Sequence, residues 1–498
     1  MTKKCLSVLL FAVVIMSVLS ACAQKAPVNN AHKLVTEATT ERTTDTMSFK
    51  LSYSQSDSLN PFESKTLNNQ VVENLVFDSL FAPDESFEAQ PSIATSYKYT
   101  NSTSLVVTIP SGLVFSNGTK LTAGSVVRSF NEAKSSPHWG NMLKSISSAE
   151  RVSSTAIKFK LAYKNTSAHK LLTFAITAKE PDKKGFPVGS GRYRYGKGNG
   201  MVYLKVNKKR TDFKPHFTKI VLVNITSEES IENAINIGNI SYAFRDMSSN
   251  STEKMLCSQK PVNLTNFVYL GVNNYSGITS DENVRRAISL ALDRDTIVKS
   301  AYRGYAKSAT SPFHPNSDMG KESVIIQTSA DIAASKQVLS QSEYSEDDLK
   351  LDILVNKNGK RRAAAKLIKQ QLEAAGFKVT VNYEKDKTYR YMVKHKMFDL
   401  YIGETKIPND MNMLSFFSGS GATRYGINTS KSKTARAYRN FLFREGEIGS
   451  FVLSFTQEMP FIPLVYRQGM ICYTKSMQGD MQGYADNYFS NIEDWYFN

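Results

Sequence analysis

The residues best suited to covalent or metal chemistry are few and scattered. The 498 residues include four Cys and six His. No CxxC pair occurs, and His32, His138, His169, His216, His314 and His395 show no ligand spacing. GxSxG, HExxH and an SxxK with its partner motifs are missing, and no carboxylate pair stands in a convincing setting. No enzyme, metal site or cofactor is therefore expected. What the chain offers instead is reversible recognition. Glu404 and Asp410 are carboxylates in one short stretch, and each has a plain alternative: a salt bridge with Lys406 for Glu404, a turn or cap beside Asn409 for Asp410. Arg424, in Gly421-Ala-Thr-Arg-Tyr425, can hold a carboxylate through two parallel hydrogen bonds. Tyr53 can line a cleft or sit in a core, and Trp139, in a loop after Pro137-His138, can stack on a ligand or pack.

The elements that would position these residues are clearest from Leu349 onward. Leu351–Val355 reads as a strand, Arg361–Ala375 as a helix closed by Gly376, Val379–Tyr383 as a strand, Thr388–Lys394 as a short helix and Phe398–Ile402 as a third strand. Ala364, Leu367, Ile368, Leu372 and Ala375 line one side of the longer helix. Such a β-α-β-α-β series makes a parallel sheet with right-handed crossovers, and ligands collect beyond the carboxyl ends of its strands. That rule points at Gly403-Glu404-Thr405. The first half is strand-rich: Phe49, Leu51 and Tyr53 alternate with polar residues, as do Leu105, Val107 and Ile109, and Ile157, Phe159, Leu161 and Tyr163. Turns fall at Asn117-Gly118 and Gly189–Gly191, and a helix is expected over Ser280–Leu292 with Ser280 as its cap. Residues 321–348 are polar and poorly periodic.

The start of the chain sets the compartment. Lys3 and Lys4 precede an apolar run, Leu6–Leu19, of signal-peptide size. It ends in Leu19-Ser20-Ala21-Cys22, which resembles the lipobox of bacterial lipoproteins, in which the chain is cut before the cysteine and its sulfur is lipidated. The expectation is a signal peptide at 1–21, lipid on Cys22 and a threonine-rich tether over 22–47, holding a body at the membrane on the extracytoplasmic face. No later stretch reaches the roughly 18 apolar residues of a membrane span. Removing Lys3 and Lys4 lowers the net charge of +17 by two. The remaining excess suits anionic lipid heads, an acidic wall or plain solvation, and no nucleic-acid partner is expected of an exported protein. Cys257 and Cys472 can be bonded or free.

Six fragments in order resemble the extracellular solute-binding proteins of family 5, the peptide- and nickel-binding subunits of ABC transporters. They are Ser58-Leu-Asn-Pro-Phe62, Gln90-Pro-Ser-Ile-Ala-Thr-Ser96, Val114–Val126 around Asn117-Gly118, Pro187-Val-Gly-Ser-Gly-Arg-Tyr193, Asn283–Ile297 and Met459-Pro-Phe-Ile-Pro-Leu464. Gly118 and Gly189 would supply turns that need positive φ. The resemblance implies an α/β, two-lobed periplasmic-binding-protein-like fold (type II, cluster C) with an additional subdomain and a two-stranded hinge. Carried over, lobe I takes 48–86, 181–268 and 480–498, the subdomain 87–180 and lobe II 269–479, with crossings near Leu270 and Met477. It implies a monomeric binding subunit that captures a small solute, with a short peptide expected, and delivers it to a membrane permease. A nickel chelate, a sugar, or sensing without transport are the alternatives. In peptide-binding relatives an aspartate after the 398–402 strand pairs with the ligand's amine; here a gap-free match puts Ile407 there and Asp410 three residues later.

Overall fold

A computed structural model describes residues 48–248, 256–418 and 421–498. The apolar run, Cys22 and the tether lie outside the described residues. Among the described residues no helix is long and apolar enough to cross a membrane.

The alternation of Phe49, Leu51 and Tyr53 buries all three, as the period of a strand requires. This strand, Phe49–Tyr53, lies inside a large mixed sheet. From one edge the order is Lys378–Tyr383, Lys350–Val355, Leu400–Lys406, Ser258–Val272, Phe461–Tyr473, Tyr242–Arg245, Phe49–Tyr53, Lys219–Asn224, Met201–Val206 and Tyr193–Gly198. The two longest strands, Ser258–Val272 and Phe461–Tyr473, run antiparallel down the middle. Their pairing slips between Asn263 and Phe267.

The slip is also where the packing changes hands. Val262, Leu264 and Ile471 belong to one apolar core, with Phe49, Val72, Leu222 and Trp495. Phe267 to Leu270 and Phe461 to Tyr466 belong to a second core, with Ile353, Ile368 and Ile402. Two strands thus pass from one core to the other. A separate four-stranded antiparallel sheet, Ser96–Asn101, Ser104–Thr108, Ala156–Leu161 and Ile146–Arg151, joins the first core with the helix Ala123–Ser135 packed on it. The chain end returns there as well: Trp495 is buried against Phe49, Tyr242 and Phe489, and Met477–Gln478 pairs with Tyr496–Phe497.

Around the second core the β-α-β-α-β series forms with parallel pairing, Leu351 opposite Val379 and Ile353 opposite Leu400. Its helix is Gly359–Ala374, capped by the Asn358 side chain, which accepts from Arg361 N. The third strand runs over Leu400–Lys406, later than the sequence suggests, because Tyr401 to Lys406 pair antiparallel with Gly271 to Asn266. Glu404 is therefore within the strand rather than beyond it. The expected helix over Ser280–Leu292 is Glu282–Leu290, capped by Asp281, with Ser280 closing a short 3-10 turn before it. Residues 321–348 include the helix Ile332–Leu339. Gly118 has φ 86°, as a turn needs, but Gly189 is not in that region. A Cβ on Gly189 would stand 2.0 Å from the Val76 carbonyl oxygen, so close approach, not φ, is what glycine provides there. Cys257 and Cys472 are free thiols in one small apolar cluster.

Candidate ligand site

Three segments far apart in sequence meet around a small cleft, with about 450 Å³ of space between them when open solvent is counted. The first is the helix Leu67–Val76. Asp57 fastens its entry by accepting from Lys65 N, Thr66 N and the Thr66 hydroxyl, and the Asn69 amide ties it to Ser54 at the end of the first strand. With Val72, Leu75 and Val76 in the core, the helix presents Glu73 and Asn74 to the cleft. The second segment is the turn after Ala123–Ser135, where the Ser136 hydroxyl accepts from Trp139 N at 3.1 Å and sets His138 and Trp139 against the cleft. Phe62 packs edge-on to the Trp139 ring at 5.9 Å. The third is the returning tail with Asp486 and Tyr488, held by Asn74: its amide donates to Asp486 O and its oxygen accepts from Tyr488 N, both at 3.1 Å.

The electrostatics follow from burial. Glu73 accepts from the Ser64 hydroxyl at 3.0 Å, yet burial pushes its carboxyl up to about 8. Burial also lowers His138 to about 4, so the imidazole is neutral at pH 7 although Asp486 is 3.7 Å away. Burial would raise Asp486, but Lys406 at 3.3 Å holds it below the usual carboxylate range. With His138 neutral, Lys406 is the cation responsible. Lys406 ends the strand Leu400–Lys406, so this pair reaches from the second core's sheet to the rim of the cleft.

Of the five residues singled out in the sequence Trp139 lines the cleft, and the other four fall in different settings. Tyr53 is buried in the first core, and burial raises its hydroxyl. Glu404 accepts from Arg467 Nη1 at 2.6 Å, Arg361 Nη2 at 3.0 Å and Asn266 Nδ2 at 3.1 Å. Burial alone would raise its carboxyl, but the two guanidinium groups hold it below the usual range. Its salt bridges are thus with arginines, while Lys406 goes to Asp486. Asp410 is buried where the segment around Tyr163 packs on the second core: it accepts from Asn165 Nδ2 at 2.7 Å and from Asn412 N at 3.2 Å. Burial raises it to about 6. Beside it Asn412 donates to the Tyr163 hydroxyl at 2.8 Å, Tyr163 meets Phe443, and Phe87 meets His314. Arg424 ends the 3-10 turn Ala422–Arg424 with its Nε buried and without a hydrogen-bond partner. Among the described residues no hydrogen bond or ion pair joins any two of these four. Ile407 is buried in the second core.

Glu73, Asn74, His138 and Asp486 were not singled out by sequence reasoning. The one local signal is a glutamate inside an apolar helix run, Val71-Val-Glu-Asn-Leu75, which costs too much to bury without a purpose or a partner. Among the described residues no group of three or more His, Cys, Asp or Glu is placed to hold a metal ion.

The family model "Bacterial extracellular solute-binding proteins, family 5 Middle" matches residues 88–424. The oligopeptide-binding protein AppA of Bacillus subtilis is 25% identical over 317 residues, 58% of this chain and 58% of AppA. The nickel-binding protein NikA of Staphylococcus aureus is 27% identical over 300 residues, 56% of this chain and 58% of NikA. The chain thus spans less than two thirds of the length of either relative. Among solved structures, the ABC transporter substrate-binding protein CtaP of Listeria monocytogenes superposes with a TM-score of 0.71 at 19% identity, covering 90% of this chain and 99% of CtaP. NikA of Brucella suis, in complex with Fe(III)-EDTA, gives 0.68 at 17% identity, covering 90% and 100%. These two share the fold. Since the family match extends over more than half of its length, the chain belongs to family 5 of the bacterial extracellular solute-binding proteins, which are transport binding proteins and not enzymes.

Proposed function

We propose that this protein is the capture subunit of an ATP-driven importer, held on the extracytoplasmic face by lipid on Cys22, which closes two lobes over a short peptide and hands it to a membrane permease. Lobe I comprises 48–86, 181–268 and 480–498, the subdomain 87–180 and lobe II 269–479; the body acts as a monomer. The observation that carries this reading is the pair of apolar cores bridged by Ser258–Val272 and Phe461–Tyr473, with a polar cleft at the rim where Lys406 meets Asp486. A two-strand bridge lets two rigid bodies hinge. Closure then follows from differential affinity: a ligand that touches both lobes binds the closed state better and shifts the population towards it. In this reading Glu404 braces the bridge, Asp410 fastens the closed seam, Tyr53 packs in the first core, and Arg424 remains the candidate for contact with the ligand itself.

A nickel chelate is the second reading, favoured by the relative named for nickel binding. Native mass spectrometry of the purified body, followed by thermal-shift screening with di- to pentapeptides, nickel-histidine and sugars, separates the readings. A peptide is expected to raise the melting temperature. If nickel-histidine or a sugar does so and no peptide does, the peptide reading is lost.

A further inference from the structure

The cleft between the helix Leu67–Val76, the 136–139 turn and the tail leaves two buried polar atoms unanswered. Glu73 is 4% exposed, and its Oε1 has no hydrogen-bond partner, while Oε2 accepts from Ser64. Trp139 is 8% exposed, and its Nε1–H has no partner either. Buried polar atoms are rarely left unpaired, and these two belong to side chains that line one cleft, where a guest could answer both. The charge of the walls says which kind. Glu73 and Asp486 line the cleft, and no Lys or Arg does. Asp486 is answered from the rim by Lys406, so Glu73 is the carboxyl without a counter-charge. Phe77, Trp139 and Tyr488 supply aromatic surface beside it, which favours a cation. Two carboxyl groups and no cation in the lining are not an average of the surface of a chain of net charge +17.

We infer that this cleft is a subsite for a positively charged group of the ligand, an ammonium or guanidinium, with Glu73 as its counter-ion and Trp139 as both aromatic wall and hydrogen-bond donor to an adjacent ligand oxygen. The inference rests on the capture reading above and specifies the ligand class for it. Its consequence is proton-coupled binding. Burial keeps the Glu73 carboxyl protonated at neutral pH when no cation is present. A bound cation favours the carboxylate, so the proton leaves to solvent as the ligand enters. Glu73→Gln keeps the shape and the neutral state of the empty cleft, so it preserves the fold while removing the counter-ion.

The test is titration calorimetry of the purified body with Ala-Lys-Ala, Ala-Gln-Ala and Ala-Glu-Ala, and with cadaverine as a cation that is not a peptide, each in phosphate and in Tris at pH 7. A charge-assisted bond made in a buried site predicts that Ala-Lys-Ala binds roughly 10- to 100-fold tighter than Ala-Gln-Ala. Its binding should release a proton, visible as a heat that differs between the two buffers. Glu73→Gln should abolish both the preference and the release, and Trp139→Phe should weaken all three peptides while leaving the release. Peptides that bind with no charge preference, or a preference that survives Glu73→Gln, would overturn the subsite and leave peptide capture standing. Cadaverine binding through Glu73 without any peptide binding would do the reverse. Binding of neither overturns both.

Discussion

Replacing Glu404 by Gln tests what holds the bridge between the two cores. The carboxylate receives Arg467 from one crossing strand, Asn266 from the other at the slip in their pairing, and Arg361 from the first turn of Gly359–Ala374. Arg467 also reaches Asp246, but Arg361 has no second carboxylate among the described residues. Removing one partner of a buried ion pair costs about 3–5 kcal/mol, because the other charge stays buried and uncompensated. Gln keeps the size and one acceptor, so the loss belongs near about 3 kcal/mol. Urea unfolding followed by the emission of Trp139 and Trp495 measures it. The pH dependence gives an independent arm. A carboxyl whose folded pKa is depressed contributes stability above its unfolded value, near about 4.3, and loses that contribution as pH falls through the folded value. The gap between wild type and Glu404→Gln should therefore be fully open at neutral pH and narrow below about pH 4. A gap under about 1 kcal/mol at neutral pH, or one that ignores acid, would refute the assignment of Glu404 as the brace.

Two further outcomes follow from named contacts. Asp410 has a folded pKa raised to about 6 by burial, so its contribution is complete below its unfolded value of about 3.9 and is lost as pH rises to about 6; melting temperatures of Asp410→Asn and wild type should separate between about pH 4 and about pH 6 in favour of the variant and stay apart by a constant amount above, and parallel curves across that window would remove Asp410 from the seam's energetics. Gly189→Ala would place a methyl 2.0 Å from Val76 O and 2.7 Å from the Phe77 ring, forcing the end of the Glu73 helix to move; a destabilisation of about 1–3 kcal/mol is expected, and an unchanged midpoint would show that the close approach is relaxed at no cost.

How much of this was legible in the chain depends on the range of the interaction. Local periodicity is written in the residues themselves. Phe49, Leu51 and Tyr53 alternate, and Ala364, Ile368 and Leu372 recur at helical spacing, so the strand, the helix and the parallel β-α-β order could be read before any contact was known. Boundaries moved where a neighbour intervened. The third strand runs on to Lys406 because Ser258–Val272, more than a hundred residues away, offers it backbone partners, and this turns Glu404 from a residue beyond a strand into one braced within it.

The site divides in the same way. Residue types and spacing offered none of the catalytic or metal motifs sought, led to the expectation of recognition by carboxylates, arginine and aromatics, and carried the fragments by which the chain resembles its fold family. Only the tertiary structure decided which carboxylates face a cleft. Glu73, His138 and Asp486 lie on a helix, a turn and a tail with no shared motif, and they converge because the final residues fold back onto the first core through Trp495. Burial is a property of that convergence: it leaves Glu73 Oε1 and Trp139 Nε1 unpaired and lifts the Glu73 carboxyl, and a sequence carries periodicity but not the desolvation that long-range packing imposes on a charge.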